Sequence, residues 1–414
     1  MKINFPVIKP TFLLWCLIVN MYMVRATTFH VGVGHSYLTI TQAATVVQAG
    51  DTILCHEATI AGGISISNLN GKEGNYIYLL ADKNKPVTIQ GGSNSIQFSD
   101  CSYLHIEGFI IQGQTANGMN IDDAGTLDSP THHIRITNCI FRNIQASGNN
   151  DLLKLSGLNY FEITKCSFLN GAARGSGIDM VGCHYGLIAD NEFENPGSNS
   201  IQAKGGSFEI EILRNHFKNG GARAMNLGGS TGLQFFRPQN ATTEAERITV
   251  IANVIEGSET AIAYVGCTQV KVYNNTILFP KKWVVRILQE TVNPARFLPS
   301  GNNAFFNNIV VIDNNVSTEV NTGPNTASNT FSFENNLWYK TTNVNWQGPN
   351  LPGNVVKQLI KNPQIIGGSS YKIDINSPAV GYGKLHDGVV LDKEGNEYSV
   401  PPSVGAYEGN RKNK

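Results

Sequence analysis

The chain has 414 residues, of which 41% are hydrophobic and 15% are charged, and its formal net charge is zero. This length allows a large core, and the composition is not that of a disordered chain. The low charged fraction and the abundance of Gly and Asn argue against coiled coils and helical bundles, which are rich in Ala, Glu, Lys and Leu. A neutral chain gives no electrostatic case for nucleic-acid binding.

Residues 1–26 have the pattern of a secretory signal peptide. A basic start is followed by a mostly apolar run from residue 11 to residue 24, and Val24-Arg25-Ala26 is an acceptable small-residue cleavage site. An uncleaved anchor is the alternative, which the shortness of the apolar run disfavours. No later segment is long and apolar enough to span a membrane. We therefore predict a secreted protein, extracellular or periplasmic, without a membrane span.

Six cysteines follow the predicted signal peptide, in a compartment that would allow disulfides. They form no Cys-x-x-Cys pair, and no His lies at the spacing of a zinc site, so zinc is not expected. The simplest interpretation is that they are small buried residues stacked in columns. A bridge between Cys139 and Cys166 stays open, provided that their side chains point together.

A short unit recurs along the chain, as in Ile136-Thr-Asn-Cys-Ile-Phe141 and Ile212-Leu-Arg-Asn-His-Phe217. The fourth position of the unit is occupied in turn by Cys139, Cys166, Asn191, Asn215, Asn253, Asn275, Asn308 and Asn336. The shortest spacing is 22 residues, and longer spacings are interpreted as that unit plus loop insertions. Short alternating β runs at such a period predict the coils of a parallel β-helix.

The recurring Asn predicts a ladder at one turn of the coils. An Asn side-chain amide at this position can bond the turn of the next coil. For any single Asn the simpler interpretation is a turn former. Six in register are hard to obtain that way, which favours the ladder.

Both ends of the repeat have patterns typical of solenoid caps. Residues 38–47 predict a short amphipathic helix, followed by a Gly-Asp turn and a strand. Quoted in chain order, the entry motifs are Gln42-Ala-Ala and Ala49-Gly-Asp-Thr-Ile, and the tail motifs are Asn362-Pro-Gln-Ile, Ser377-Pro-Ala-Val-Gly and Val404-Gly-Ala-Tyr-Glu. In these motifs the sequence resembles secreted right-handed parallel β-helix proteins of the pectate-lyase-like superfamily.

The resemblance implies an all-β fold, a single-stranded right-handed parallel β-helix with a short N-terminal capping helix. It divides the chain into the signal peptide (1–26), an N-terminal cap with the first strand (27–60), the β-helix (61–360) and a C-terminal capping segment and tail (361–414). It says little about activity, because this fold carries lyases, hydrolases, epimerases and adhesins.

One strand of each coil has a clear in–out pattern, so its outward side chains can be assigned. The first outward column is Asn120, Lys154, Asp179, Gln202, Asn226, Ala263 and Arg286, and the second is Asp122, Ser156, Val181, Lys204, Gly228, Val265 and Leu288. Because coils stack at about 4.8 Å, members of a column should be neighbours. The alternative to a functional site is a purely structural ion pair between Lys154 and Asp179 on neighbouring coils.

Three insertions, residues 122–133, 228–246 and 289–302, follow these strands and leave the same edge. We predict that they wall a groove. A polar floor of mixed charge with wall aromatics suits a sugar chain, which offers hydroxyls and an apolar ring face. The predicted substrate-binding residues are Gln202, Asn226, Asn120, Phe235, Phe236 and Arg237.

The first predicted reaction is β-elimination on an acidic polysaccharide that contains uronic acid. This reaction needs a base for the C5 proton and a cation to hold the developing carboxylate charge. Lys204 or Lys154 is the candidate base, if neighbouring positive charge favours its neutral form. Arg223 or Arg286 is the candidate carboxylate clamp.

The segment Ile201-Gln-Ala-Lys-Gly-Gly resembles alginate and chondroitin lyases of this fold in the placement of Lys204. The sequence departs from those lyases at two points. Gly197 and Asn199 occupy the positions at which those lyases carry acidic residues. Gly228 occupies the position on the next coil at which those lyases carry an Arg. Both departures put a direct transfer of that mechanism in doubt.

Calcium often serves such lyases and needs several oxygen ligands. Asp179 and Asp151 are the candidate ligands, although they form no compact cluster in sequence, and no other cofactor is expected. Hydrolysis is the second predicted reaction and needs two carboxyls facing each other across the bond, for which Asp179 would pair with Asp122, Asp123 or Glu290. A non-catalytic glycan-binding or surface protein would use the same groove. We expect a monomer.

Overall fold

The computed structural model describes residues 26–409, apart from residues 128, 368, 369, 386 and 389. The predicted signal peptide lies outside the described residues except for Ala26. Within this range the chain winds through three parallel sheets in turn, and each complete coil contributes to all three sheets. The all-β fold and the parallel β-helix that the repeat predicts are thereby confirmed.

The strands are named here by sheet. Sheet 1, with 14 described strands, contains Thr28–Val31, Thr52–Cys55, Ile77–Ala81, Ser102–Glu107, Thr131–Thr137, Leu158–Thr164, His184–Ala189, Ser207–Leu213, Ala245–Ile251, Cys267–Thr268, Lys271–Tyr273, Ala304–Phe306, Ser332–Glu334 and Asn354–Val356. Sheet 2, with 12, contains Thr59–Ala61, Val87–Gln90, Phe109–Gln112, Ile140–Arg142, Ser167–Leu169, Glu192–Glu194, His216–Lys218, Val254–Glu256, Thr276–Leu278, Ile309–Ile312, Leu337–Lys340 and Leu359–Ile360. Sheet 3, with 10, contains Ile64–Ser67, Ile96–Ser99, Met119–Asp122, Leu153–Ser156, Ser176–Val181, Asn199–Lys204, Arg223–Gly228, Thr260–Val265, Trp283–Leu288 and Val320–Thr322.

Side chains that point into the coils stack in register. Phe141, Phe168, Phe193 and Phe217 follow one another on sheet 2, with ring centroids 4.8 to 5.0 Å apart. All four are buried. Burying an aromatic side chain of this size stabilises a fold by about 1.5–3 kcal/mol. The core is therefore a set of columns, and each column depends on exact coil-to-coil alignment.

Six asparagines occupy the turn between sheets 1 and 2, and all are fully buried. They are Asn191, Asn215, Asn253, Asn275, Asn308 and Asn336. In each of the first five, the backbone N–H donates to the Oδ1 atom of the next asparagine at 2.8 to 3.0 Å. The side-chain Nδ2 donates to the same oxygen at 2.9 to 3.1 Å. The buried backbone N–H of each of these five residues thereby has an acceptor on the next coil.

The N-terminal helix is shorter than the sequence predicts and spans Ile40–Ala44. Thr39 caps it through a bond from the backbone N–H of Gln42, whose side chain bonds back to the Thr39 N–H. The β-branched run at residues 45–47 is a weak helix former, which accounts for the early end. Ile40 and Ala43 are buried against the first coils, as expected of a cap.

The six cysteines after residue 26 are all buried and unbridged. The open possibility of a Cys139–Cys166 disulfide is thus not realised. Burial raises the pKa of both Cys55 and Cys183 to about 12, which keeps these thiols protonated. They act as small apolar side chains in the columns.

The segment after residue 360 lies along the outer face of sheet 2. Ile373, Ala379 and Val404 pack against outward-facing side chains of that sheet, such as Leu278 and Val311. The segment predicted to close the end of the solenoid therefore covers its flank. Among the described residues, no helix has the length and apolar character needed to cross a membrane.

Candidate functional site

The outward column of sheet 3 has the register that the sequence predicts. Paired residues in successive coils are Asn120 with Lys154, Lys154 with Asp179, Asp179 with Gln202, Gln202 with Asn226, Asn226 with Ala263, and Ala263 with Arg286. In the second column Asp122 pairs with Ser156, Ser156 with Val181, and Val181 with Lys204. Polar side chains from separate parts of the chain thus meet on one flat face.

Asp179 is the buried centre of this face. Its side chain forms an ion pair with Lys154, and its other oxygen, Oδ1, lies 3.4 Å from the Lys204 ammonium. Only 2% of Asp179 is exposed, and no described residue donates a hydrogen bond to Oδ1. One buried carboxylate therefore holds two lysines, which goes beyond the plain ion pair considered from the sequence.

A second carboxylate, Asp151, lies behind Lys154. Its Oδ1 accepts the backbone N–H of Ser176 at 2.7 Å, and its Oδ2 lies 3.8 Å from the Lys154 ammonium. Burial, assisted by the negative charge of Asp179, raises the pKa of Asp151 to about 7. The site therefore contains a carboxyl that is partly protonated near neutral pH.

This pKa makes the stability of the protein depend on pH at Asp151. Because the folded-state pKa lies above the ordinary value of 3.8, the folded state binds more protons here, and this contribution to stability falls as pH rises from about 4 to 7. Asp151→Asn removes the ionisation. We expect the variant's free energy of unfolding minus that of the unmodified protein to be larger at pH 8 than at pH 5, because only the unmodified protein loses stability as this carboxyl ionises. Urea titrations at both pH values measure this, and a constant difference would contradict it.

The structure contradicts a catalytic-base role for Lys154. Burial alone would lower the pKa of its ammonium, but Asp179 and Asp151 outweigh that effect and raise the pKa. Lys154 therefore keeps its proton near neutral pH. Its role is to neutralise the buried carboxylates.

Asp179 and Asp151, the predicted calcium ligands, do not fit a calcium ion. Calcium requires six to eight oxygen ligands. Asp179 is engaged by two ammonium groups, and Asp151 is buried against a backbone N–H and Lys154. Neither belongs to a group of three or more potential ligand side chains in the described part of the chain. Two lysines supply the positive charge that a cation would bring.

A cavity of about 460 Å³ opens on the sheet 3 face beside Lys204, and we call it the Lys204 cavity. Its lining is Asn120, Asp122, Asp123, Gly125, Lys154, Ser156, Val181, Lys204, Ser230, Thr231, Gly232, Phe235 and Arg237. The floor comes from the sheet, and the walls come from the loops after Asp122 and Gly228. Phe235 is 53% exposed and presents its ring at the wall. Two of the three insertions, those after Asp122 and Gly228, therefore wall a cavity at this part of the face, whereas its lining includes no residue of the insertion at 289–302.

Two of the predicted wall residues, Phe236 and Arg237, make contacts within the protein. Phe236 is fully buried, with its ring 5.2 Å from that of Phe297, so its prediction as a substrate contact is wrong. Arg237 lines the cavity, but its Nε and one terminal nitrogen donate to the two oxygens of Asp123 at 2.5 and 2.8 Å. Gly157 lies beneath this pair, where an added Cβ would be 2.2 Å from Asp123 Oδ2. Arg237 thus ties one wall to the other.

Sequence reasoning missed Glu244, which is almost fully buried at the base of the wall. Its carboxylate accepts bonds from the backbone N–H groups of Gly205 and Thr231 at 2.9 and 3.0 Å. It also accepts the hydroxyls of Thr231 and Thr291 at 2.7 and 2.6 Å. One carboxylate therefore fixes both long loops to the coil of Lys204. No local sequence pattern marks an acid for this role.

The two candidate arginines lie outside the lining of the Lys204 cavity. Arg223 donates to Asn226 and to Glu290, both at 2.8 Å. The Arg286 guanidinium lies 4.4 Å from the Trp283 ring centroid, and burial lowers its pKa, assisted by the positive charge of Arg223. Arg286 is three coils from Lys204, roughly 14 Å at about 4.8 Å per coil. It therefore cannot clamp the carboxylate of a sugar that contacts Lys204.

Gln202 and Asn226 follow Asp179 on the column but do not line the cavity. Gln202 is partly exposed, whereas Asn226 is 2% exposed and bonded to Arg223. Asn226 is therefore covered and engaged by Arg223, and its predicted contact with substrate is not available in this arrangement.

Comparison with known proteins supports the fold. Residues 94–277 match a family model described as the right-handed beta helix region. The pectate lyase Pel9A is 14% identical and has a TM-score of 0.58, over 93% of this chain and 97% of its own. XylC in complex with xylose is 12% identical with a TM-score of 0.55, over 93% and 99%. No curated protein matches the sequence.

A third similar structure is the GH136 lacto-N-biosidase from Eubacterium ramulus. It is 12% identical with a TM-score of 0.50, over 81% of this chain and 67% of its own. Identities this low establish the fold alone. The chain is a right-handed parallel β-helix protein, and its resemblance to pectate-lyase-like proteins is confirmed at that level.

Proposed function

We propose that the protein is a secreted carbohydrate-active enzyme that binds an acidic, uronic-acid-containing polysaccharide in the Lys204 cavity and cleaves it by β-elimination. The observation that carries the proposal is the pair of lysines that share buried Asp179 on the floor of a loop-walled cavity. The names of pectate lyase Pel9A and lacto-N-biosidase, which share the fold, agree with a carbohydrate substrate.

Lys204 is the proposed base. Lys154 is hydrogen-bonded to Asp179, whereas Lys204 approaches the same carboxylate at 3.4 Å without a hydrogen bond. If Lys204 gives up its proton, the Lys154–Asp179 pair is left electrically balanced. Lys204 can then take the C5 proton of a uronic acid. The C5 electron pair forms the C4=C5 double bond as the C4–O bond breaks, and the departing sugar oxygen takes a proton from the Lys204 ammonium or from water.

Lys154 is the proposed partner of the substrate carboxylate. It lines the cavity, is 23% exposed at its side chain, and stays protonated because of the two aspartates. A fixed cation in the same cavity as Lys204 would hold the negative charge that develops on the carboxylate as the C5 proton leaves. Phe235 offers an apolar surface for a sugar ring on the opposite side.

Hydrolysis is less well supported, because the carboxylates near the cavity are already engaged. Asp123 is paired with Arg237, and Glu290 is paired with Arg223. Asp122 accepts bonds from Gln97 and Asn120 at 2.7 and 2.9 Å. A hydrolase needs one free acid and one free base that face each other across the bond. The remaining alternative is glycan binding without turnover.

The proposal is tested by incubation with alginate, pectate, chondroitin and heparin. β-Elimination gives an unsaturated product, so we expect ultraviolet absorbance to rise with one of these polymers and not with neutral glycans. New reducing ends without that absorbance would assign a hydrolase. Binding in a pull-down with neither signal would assign a glycan-binding protein. Either of the last two results refutes the elimination.

A further inference from the structure

Three histidines meet at the N-terminal end of the solenoid, on a different sheet from the Lys204 cavity. His30 lies on the first strand of sheet 1, His56 directly follows the second strand, and His35 lies in the turn after the first strand. Each offers one ring nitrogen, and these nitrogens all lie within 4.8 Å of one another. No zinc was expected from the sequence, because no His lies at the spacing of a zinc site; this cluster joins histidines that spacing along the chain does not connect.

The backbone holds the cluster in place. The N–H of His56 bonds to the carbonyl of Val31 at 2.9 Å, which fixes the second strand beside the first. The N–H of His35 bonds to the carbonyl of Gly32 at 3.1 Å, and the N–H of Gly32 bonds to the carbonyl of Tyr37 at 2.9 Å. The turn is thus closed on itself, with His35 aimed back at the strands.

The ring nitrogen atoms of the three histidines lie close enough together to bind one metal ion. His30 Nδ1 lies 2.8 Å from His56 Nε2, and the His35 and His56 ring centroids are 4.3 Å apart. Two nitrogens bound to one zinc ion at about 2.0–2.1 Å can be at most about 4.2 Å apart. Both His30 and His35 are exposed, so their rings have room to rotate toward a common ion.

Asp82 supplies the second element of a metal site. Its Oδ2 lies 2.8 Å from His56 Nδ1, and its Oδ1 accepts the backbone N–H of Asn84 at 2.9 Å. A carboxylate oxygen that accepts a hydrogen bond from Nδ1 keeps the proton on that nitrogen and leaves the Nε2 lone pair facing His30 and His35.

We propose that His30, His35 and His56 form a binding site for a first-row divalent transition metal, with Asp82 orienting His56. Three imidazoles suit zinc, nickel and copper, and disfavour calcium and magnesium. The bound ion would fasten the turn at residues 32–37 to the first two strands. The end of a solenoid is its least supported coil, so this position is where such a link has structural value.

The test is isothermal titration of untagged protein with Zn²⁺, accompanied by the visible absorbance of bound Co²⁺. We expect one ion per chain, at least tenfold weaker binding in His35→Ala and in His56→Ala, and 10- to 100-fold weaker binding in Asp82→Asn. His132→Ala/His133→Ala is the matched control. It removes another histidine pair, with Nδ1 atoms 2.9 Å apart, and should leave zinc binding unchanged.

No zinc binding by the unmodified protein overturns the proposal, as does unchanged binding in the double variant His35→Ala/His56→Ala. Far-ultraviolet circular dichroism checks that each variant is folded. His35 lies in an exposed turn, so His35→Ala alone keeps the test valid if the double variant does not fold. These readouts do not depend on polysaccharide cleavage, so the two proposals succeed or fail separately.

Discussion

Lys204→Met is expected to lower kcat/KM for the cleaved polysaccharide by about 10²- to 10⁴-fold, the usual contribution of a general base. Methionine keeps most of the unbranched stem of Lys204 beside Val181 but cannot accept the C5 proton. Asp179 keeps its ion pair with Lys154, so the buried carboxylate is not left without a partner. The rate of appearance of the unsaturated product measures the effect.

Lys271→Met is the matched control for this variant. Lys271 is an exposed strand lysine on sheet 1, away from the cavity, and its replacement should leave turnover unchanged. Circular dichroism should be the same for both variants. Activity within a few-fold of the unmodified protein in Lys204→Met would remove Lys204 from the mechanism, even if the protein proves to be a lyase.

Asp179→Ala should also abolish turnover, but the structure indicates that this substitution destabilises the protein as well. Two lysines lose their shared carboxylate at a position that is 2% exposed. Breaking a buried ion pair by removing one partner costs about 3–5 kcal/mol. The loss of activity in this variant therefore comes with a loss of stability, and Lys204→Met is the cleaner test of the chemistry.

The fold could be predicted from the sequence because the residue pattern that specifies one coil recurs in every coil. Each coil carries the same alternation of inward and outward side chains, so the register of Lys154, Asp179 and Gln202 follows from alignment of the units. The same logic located the asparagine turn. A solenoid makes neighbours in space out of equivalent positions in sequence, which is the easiest case for such reasoning.

The walls of the cavity could not be predicted in the same detail, because loops have no period. Phe235 and Phe236 are adjacent in sequence, yet one is exposed to the cavity and the other is buried against Phe297. Glu244 gains its role only when two loops meet. The histidine cluster likewise depends on a turn that folds His35 back, and no spacing rule expresses that geometry.

Asn253→Ala is expected to reduce the free energy of unfolding by about 2–6 kcal/mol. The Oδ1 of Asn253 accepts both the backbone N–H and the side-chain Nδ2 of Asn215, at 2.8 and 3.1 Å. Alanine leaves these two buried donors without an acceptor, and each costs about 1–3 kcal/mol. Urea unfolding followed by circular dichroism measures the loss.

Asn149→Ala, at an exposed position, is the matched control and should change stability by no more than about 0.5 kcal/mol. Asn253→Asp separates the two halves of the interaction. It keeps an acceptor for Asn215, but it loses the Nδ2 bonds to the carbonyls of Ile212 and Ile251 and buries a charge. If Asn253→Ala costs no more than Asn149→Ala, the column is a consequence of coil stacking. If Asn253→Ala lowers the free energy of unfolding by several kcal/mol, the asparagine column is one of the causes of coil stacking, since the neighbouring turns depend on each asparagine for their amide hydrogen bonds.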